Sequence, residues 1–229
     1  MATSTPPPPS QQPPTTSSTS TPPTSTAATP LSPTDPTYTP PTIFSFPPFF
    51  TLQPNPTTRS SQLHSWSTHI QSYARSHRLF TLSLIDALPT PSLFTNPTIS
   101  RSLSLRDARA VLNFMASPEG GNRAEWFPTS SSSTAKKTGA AGDEAGGGKA
   151  WIYWRRPEEW AAVLEEWVDR TGQKGTVLTL YEIVESDATR REEFWGMESE
   201  LLVRSLGICV KRGKAQIFGG EGSEGVKFF

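Results

Sequence analysis

Apolar residues recur at helical spacing near the middle of the first half of the chain. Four of them stand three or four positions apart: Leu63, Trp66, Ile70 and Tyr73. This spacing places them on one face of a helix. Asn55 and Pro56 precede the stripe and form a typical helix start, because Asn caps the first turn and Pro suits its first position. We therefore predict a helix over residues 56–76.

Shorter elements follow this helix. Residues 80–82 suit a short strand, and the proline-punctuated stretch after them leaves room for a short helix over 96–102. Ser104 has Asp107 three residues later and an apolar stripe behind it, so we predict that it caps a further helix. That helix is expected to end near Ser117, where Pro and Gly residues begin.

Two aromatic-rich stretches, residues 123–127 and 150–154, predict the strands of a hairpin. Between them, residues 128–149 are rich in Ser, Gly and Ala, which predicts a flexible hairpin tip. The tip ends in GGGKA, yet the phosphate-loop motif needs Gly where Asp143 stands and Ser or Thr where Ala150 stands. We expect neither a nucleotide site nor any other cofactor.

The second half of the chain repeats the same order of elements. Pro157 opens a helix that Gly172 ends, and Trp160 and Trp167 lie two turns apart on its apolar stripe, so both are predicted to be core. TVLTLYEIVES predicts a strand leading into a short helix, residues 197–212 a longer helix, and KAQIF and VKFF a final hairpin. Long helix, short strand, short helix, longer helix and hairpin is the order of a winged helix.

The predicted fold class is α+β and mainly helical, with two tandem winged-helix domains preceded by a disordered tail. The tail, residues 1–42, is dominated by Pro, Ser and Thr and carries the single charge of Asp35. Such a segment cannot bury enough apolar surface to offset its ordering entropy. The predicted domains are residues 43–156, which include the flexible insert at about 128–149, and residues 157–229.

Composition and spacing argue against most chemistry. The 21 basic and 21 acidic residues balance, whereas a phosphate backbone is bound through an excess of positive charge. The single Cys209 excludes an internal disulfide and a thiolate cluster. His64, His69 and His77 stand five and eight positions apart rather than the four of a helical zinc pair, so no metal is expected. No nucleophile motif is present, and we expect no enzymatic activity.

The main alternative is a winged-helix DNA-binding or transcription-related protein, because such domains often insert their third helix in the major groove. In the second domain that helix starts among four carboxylates that would repel phosphates: Glu192, Glu193, Glu198 and Glu200. The first domain is more ambiguous with respect to DNA binding, because it carries three arginines that are only partly balanced by Asp107. They are Arg101, Arg106 and Arg109.

Four short blocks in register, FPPFFTLQPN, WRRPEEW, TLYE and GVKFF, closely resemble the vacuolar protein sorting-associated protein 25 family, the smallest subunit of the ESCRT-II complex. The similarity runs from about Phe46 to Phe229 and leaves out the tail and the insert. It implies a non-enzymatic subunit that makes protein contacts while ubiquitinated cargo is sorted into multivesicular bodies.

The resemblance also implies partners and a location. Two larger ESCRT-II subunits would hold two copies of this subunit per complex, and the second domain would recruit an ESCRT-III subunit. The expected location is the cytoplasm and the surface of endosomes. Membrane contact is expected only through the complex, and no nucleic acid is expected to bind.

The family uses N-terminal proline-aromatic motifs to dock into its larger subunits. A pre-extended backbone loses little entropy on binding, and aromatic rings then fill apolar grooves. The alternative is that the rings cover this chain's own first helix near Trp66. The residues that match the motif are Phe46, Pro47, Pro48, Phe49 and Phe50.

A second surface is expected in the second domain, where the family receives a helix of the ESCRT-III subunit. VLTL is an apolar run in a small domain, so not all of it need face the core. An ordinary buried strand is the open alternative. The residues expected to border this surface are Val177, Leu178, Thr179 and Leu180.

Overall fold

Helix α1 runs over Pro56–Ser76, as the apolar spacing predicts. The side chain of Asn55 accepts a hydrogen bond from the Thr58 amide at 3.2 Å and so caps the first turn. In the computed structural model of the chain, residues 1–2, 38–128, 148–219 and 224–229 are described. Most of the predicted tail and of the predicted flexible insert therefore lies outside the described residues.

The first half places one three-stranded antiparallel sheet against its helices. After α1 its elements are β1 (Thr81–Ser83), α2 (Leu84–Ala87), β2 (Thr95–Asn96), β3 (Arg101–Ser102), α3 (Leu105–Ala116), β4 (Ala124–Trp126) and β5 (Lys149–Ile152). The strand order is β1-β5-β4, with β5 in the centre. Ser104 caps α3 by accepting from the Asp107 amide at 3.1 Å, and the predicted hairpin is the β4–β5 pair.

The helix predicted over residues 96–102 is wrong. Asn96 and Arg101 instead face each other in the antiparallel pair β2–β3, and the short helix of this half is α2. The Asn96 side chain stabilises a turn by accepting a hydrogen bond from the Thr98 amide at 3.0 Å. It also donates to the carbonyl of Phe44 at 2.7 Å, a tertiary contact that local helix propensity does not anticipate.

The second half repeats the order of elements, except that its described residues hold no counterpart of the β2–β3 pair. Its elements are α4 (Pro157–Thr171), β6 (Val177–Thr179), α5 (Leu180–Val184), α6 (Ser199–Lys211), β7 (Ala215–Phe218) and β8 (Gly225–Phe228). The strand order is β6-β8-β7, so the last strand again lies in the centre. Gly172 ends α4 in the left-handed region, with φ of 66°, where a side chain would be strained.

The two halves contact each other directly, and Asp35–Phe229 forms one compact unit. Arg123, next to β4, makes a two-pronged ion pair with Glu159 in the first turn of α4, at 2.9 and 3.1 Å. Beside this pair, the rings of Trp154 and Trp160 meet edge to face at 4.7 Å. The division into domains at residues 156 and 157 stays a prediction, because the core is continuous across it.

The tryptophans of α4 are core residues, as predicted. Trp160 has no exposed surface, and Trp167 is buried against Phe194 with ring centroids 5.3 Å apart. A buried indole of this kind contributes through its own transfer from water and through the cavity that its loss would leave.

We expect Trp160→Ala to lower the free energy of unfolding by about 3–5 kcal/mol, because the surrounding rings cannot fill the cavity. Urea denaturation followed by circular dichroism measures this. Tyr181→Ala is the control, since Tyr181 is 65% exposed and its loss should change stability by less than about 0.5 kcal/mol. Equal, small changes in both variants would show that Trp160 is not a core residue.

Candidate functional site

The proline-aromatic segment before α1 folds into two short 3-10 turns, Thr42–Ser45 and Pro47–Phe50. Some of its side chains are buried and others are exposed. Three rings point into the protein and are buried, namely Phe44, Phe49 and Phe50. Phe46 is 57% exposed, and Pro47 and Pro48 are exposed beside it.

The buried rings pack around the indole of Trp66 on α1. The Phe49 ring lies parallel to the indole at a centroid distance of 4.3 Å, while Phe50 meets it edge to face at 5.7 Å. Phe44 contacts Phe50 edge to face at 5.1 Å. Offset-stacked and edge-to-face pairs are the favoured aromatic geometries, so these rings and Trp66 form one packed cluster.

Two polar side chains of α1 hold the backbone of this segment. The carbonyl of Phe49 accepts from the indole N–H of Trp66 at 3.0 Å and from the side-chain amide of Gln62 at 2.8 Å. The same amide of Gln62 also contacts the carbonyls of Pro48 and Thr51 at 3.3 and 3.0 Å. Gln62 is itself buried, so these bonds satisfy groups that would be costly to leave unpaired.

This geometry divides the motif's residues into a buried group and an exposed group. Phe49 and Phe50 belong to the chain's own core, which is the alternative that the sequence left open. They are therefore not free anchors in this structure. The exposed Phe46, Pro47 and Pro48 remain available to a partner, and the docking role itself stays a prediction.

Tyr38 fixes the start of the segment to α1. Its hydroxyl lies 2.9 Å from Nδ1 of His69, and the other ring nitrogen of His69 lies 2.9 Å from the carbonyl of Leu93. A carbonyl only accepts, so Nε2 carries the proton and Nδ1 accepts from Tyr38. Sequence reasoning missed Tyr38, because no local pattern links it to a histidine 31 residues away.

Burial determines the protonation of this pair. His69 is almost fully buried, and burial lowers its pKa to about 4 despite hydrogen bonds to backbone carbonyls that favour the charged form. Burial raises the pKa of Tyr38 to about 12. At neutral pH both side chains are therefore uncharged, and Nδ1 of His69 carries a lone pair that can accept from the Tyr38 hydroxyl.

The second predicted surface lies on an edge strand. Val177 and Thr179 of β6 are exposed, whereas Leu178 and Leu180 are half-buried. The run is therefore not an ordinary buried strand. Its binding role remains a prediction.

A groove of about 650 Å³ opens beside this strand. Thr179 and Leu180 line it, but Val177 and Leu178 do not. The apolar side chains of its lining come from α5 and α6, namely Leu180, Tyr181, Val184 and Val203. Its lining also includes three carboxylates, Glu185, Glu200 and Glu224, and one cation, Arg204, which pairs with Glu200 and with Glu125. The lining thus combines apolar side chains with an excess of carboxylates.

The described residues offer little else for chemistry. Within them, no three His, Cys, Asp or Glu side chains converge as a metal site. Burial raises the pKa of the Cys209 thiol to about 12, which leaves it unreactive. No helix in the described ranges is long and apolar enough to cross a bilayer.

Comparison with known proteins shows what the chain resembles. A family model described as ESCRT-II complex subunit matches residues 43–198. Vacuolar protein-sorting-associated protein 25 of Xenopus laevis is 39% identical over 186 residues, which is 81% of this chain and 95% of that protein. The protein of the same name from Homo sapiens is 37% identical over 81% of this chain and 94% of its own length.

Solved structures agree with these sequence relatives. The crystal structure of subunit VPS25 of the endosomal trafficking complex ESCRT-II matches with a TM-score of 0.65 at 25% identity, over 83% of this chain and 98% of that one. A VPS22/VPS25/VPS36 crystal structure of ESCRT-II matches with a TM-score of 0.65 at 26% identity, over 82% of this chain and 98% of the matched chain.

The buried and exposed phenylalanines of the segment should respond differently to truncation. We expect Phe49→Ala to lower the free energy of unfolding by about 3–5 kcal/mol, because it removes the ring stacked on Trp66. Phe46→Ala should change it by less than about 0.5 kcal/mol. Thermal and urea melts of the two variants check this, and a stable Phe49→Ala protein would show that the ring does not belong to the core.

Stability should fall in acid because of His69. The pKa of His69 is about 4 in the folded chain, below the ordinary value of 6.5. Between these two pH values His69 is protonated in the unfolded chain and neutral in the folded chain, which favours unfolding. The neutral His69 therefore contributes fully to the free energy of unfolding above pH 6.5. This free energy falls by about 3 kcal/mol as the pH is lowered from 6.5 to 4. Urea titrations across this range measure the loss.

The control for this prediction is His69→Gln, which keeps a polar group at the site without a proton to gain. Its unfolding free energy should depend less on pH between 6.5 and 4 than that of the unchanged chain. Parallel pH profiles of the two proteins would assign the acid sensitivity to other groups.

Proposed function

This chain belongs to the ESCRT-II complex subunit family, and from that membership we propose that it is a non-enzymatic subunit of an endosomal sorting complex. Relatives that it matches over 81% of its length are named vacuolar protein-sorting-associated protein 25. A matched structure contains that protein together with VPS22 and VPS36. We infer that this chain likewise assembles with two larger subunits and works at the cytoplasmic surface of endosomes.

The finer architecture is part of the same proposal. Apart from the β2–β3 pair of the first half, each half has the order helix, strand, short helix, helix and hairpin, and each three-stranded sheet places its last strand between the other two. We interpret the halves as two winged-helix domains used for protein contacts. The acidic start of α6, with Glu198 and Glu200, is unsuited to a DNA backbone and favours this interpretation over DNA binding.

The single observation that carries the docking proposal is the exposed Phe46-Pro47-Pro48 edge. Phe46 is a large ring left in water although neighbouring rings are buried, and it stands on a backbone that Gln62 and Trp66 hold in place. A preorganised aromatic anchor loses little conformational entropy on binding. We propose that this edge enters an apolar groove of a larger subunit, while Phe49 and Phe50 support it from beneath.

The groove beside β6 is the proposed receiver of the ESCRT-III subunit. Its apolar side chains and its three carboxylates, Glu185, Glu200 and Glu224, favour an amphipathic segment with basic side chains flanking its apolar face. We propose that the contact includes Thr179 and Leu180 and also Tyr181, which lines the same groove but which the sequence analysis did not include.

Truncation of the exposed ring should weaken assembly without unfolding the chain. We expect Phe46→Ala to weaken binding of the larger subunits by about 30-fold, the equivalent of about 2 kcal/mol for one anchor. Calorimetry or pull-down with both larger subunits measures it. Phe218→Ala is the matched control because Phe218 is an exposed ring in the last hairpin. Equal binding by the two variants would rule out docking through Phe46.

The groove should be separable from the docking edge. We expect Tyr181→Ala to reduce ESCRT-III binding by about tenfold or more while assembly with the larger subunits is kept, because the ring is exposed and lines the groove. Val210→Ala, at an exposed apolar position of α6 outside the groove lining, is the control. Loss of both partners in the Tyr181 variant would contradict two separate surfaces.

A further inference from the structure

A turn in the second half gathers an excess of positive charge that neither proposed docking surface uses. Residues 190–195 contain two arginines and two glutamates, and they contact four further arginines from other elements. We call this set the arginine cluster: Arg75, Arg78, Arg155, Arg170, Arg190 and Arg191. Among the described residues, the carboxylates that pair with these guanidinium groups are those of Glu192 and Glu193.

The two carboxylates are already committed. Glu193 pairs with both Arg75 and Arg155, and Glu192 pairs with Arg170 at 2.6 Å. These bonds hold the turn against α1, the start of α4 and the end of α4. One carboxylate shared by two guanidinium groups leaves net positive charge even in the paired part of the cluster.

The remaining arginines have no carboxylate partner in the part of the chain that the structure describes. Arg78 and Arg190 lie with their guanidinium carbons 5.5 and 5.9 Å from the ring of Trp195, and Arg78 also donates to the carbonyl of Arg190 at 3.2 Å. These contacts position both guanidinium groups without neutralising them. Arg191 is exposed beside them in the chain.

The cluster differs in character from a protein-docking patch. None of the large exposed apolar side chains of the described residues belongs to the 190–195 turn. Protein hot spots need an apolar centre from which water is excluded, and here the exposed groups are charged. A set of exposed guanidinium groups instead suits a broad anionic surface, on which each arginine contributes separately.

We propose that Arg78, Arg190 and Arg191 form an electrostatic contact with an anionic lipid surface. The chain as a whole is neutral, so attraction depends on this local excess and on the orientation that it imposes. The contact is direct, which differs from the sequence-based expectation that the chain meets the membrane only through the complex. It does not depend on the docking edge or the groove.

Vesicle flotation of the full chain tests the proposal. Vesicles of phosphatidylcholine with about 30% phosphatidylserine should retain the chain at about 50 mM salt and release it at about 500 mM, since screening shortens the reach of exposed charges. Vesicles of phosphatidylcholine alone should not retain it. Failure of the unchanged chain to distinguish the two compositions at low salt would overturn the proposal.

Substitution identifies the residues responsible. The triple variant Arg78→Gln, Arg190→Gln and Arg191→Gln should bind anionic vesicles about 100-fold more weakly, since each arginine near such a surface contributes roughly fivefold. The matched control Arg59→Gln, Arg101→Gln and Arg106→Gln removes the same charge at three exposed positions of the first half and should bind nearly as the unchanged chain does. An equal loss of vesicle binding in the two triple variants would show that binding depends on net charge alone, and it would contradict a defined site.

A single substitution and a soluble competitor complete the test. Arg191→Gln alone removes no contact with an aromatic ring, so it should lower vesicle binding several-fold without changing the thermal melt. This single variant tests the proposal even if the triple variant fails to fold. Soluble pyrophosphate at matched ionic strength should compete poorly. Binding of pyrophosphate as tight as vesicle binding would assign the cluster to a soluble phosphate and overturn the membrane contact.

Discussion

The ring of Phe49 lies flat on the indole of Trp66, and much of the first half depends on that contact. The carbonyl of Phe49 takes two hydrogen bonds from α1, so the ring and its backbone are held together. Without this cover, Trp66 would lose a stacked neighbour and Gln62 would lose its acceptors. The segment before α1 is thus part of the domain. Its exposed edge, Phe46 to Pro48, stands on a backbone that the core holds in place.

This constraint relates stability to assembly. A partner that binds the outer edge meets a backbone already in place, so little ordering entropy opposes binding. The same segment is anchored at its start by Tyr38 on the neutral His69 and at Phe44 by Asn96. The ion pair of Arg123 with Glu159 then connects the first half to α4, so the docking edge and the groove are held on one compact unit.

Sequence patterns predicted the elements whose determinants are local. Helices α1 and α4 begin at Pro56 and Pro157 because caps and helical proline positions act within one turn, and Gly172 ends α4 for the same local reason. The prediction failed at Asn96, whose side chain forms a turn and a tertiary hydrogen bond that outweigh propensity. It also left open which rings of the motif are buried, since 3-10 turns around Pro47 and Pro48 have no hydrophobic period and the packing partner, Trp66, lies on another element.

The division of the motif into an exposed edge and a buried support can be tested by photo-crosslinking in the reconstituted complex. A photoreactive benzoyl-phenylalanine in place of Phe46 should yield an adduct with a larger subunit. The same group in place of Phe49 should react only within this chain. An adduct with a larger subunit from position 49, with none from position 46, would contradict the division and show that the buried rings leave the core to dock.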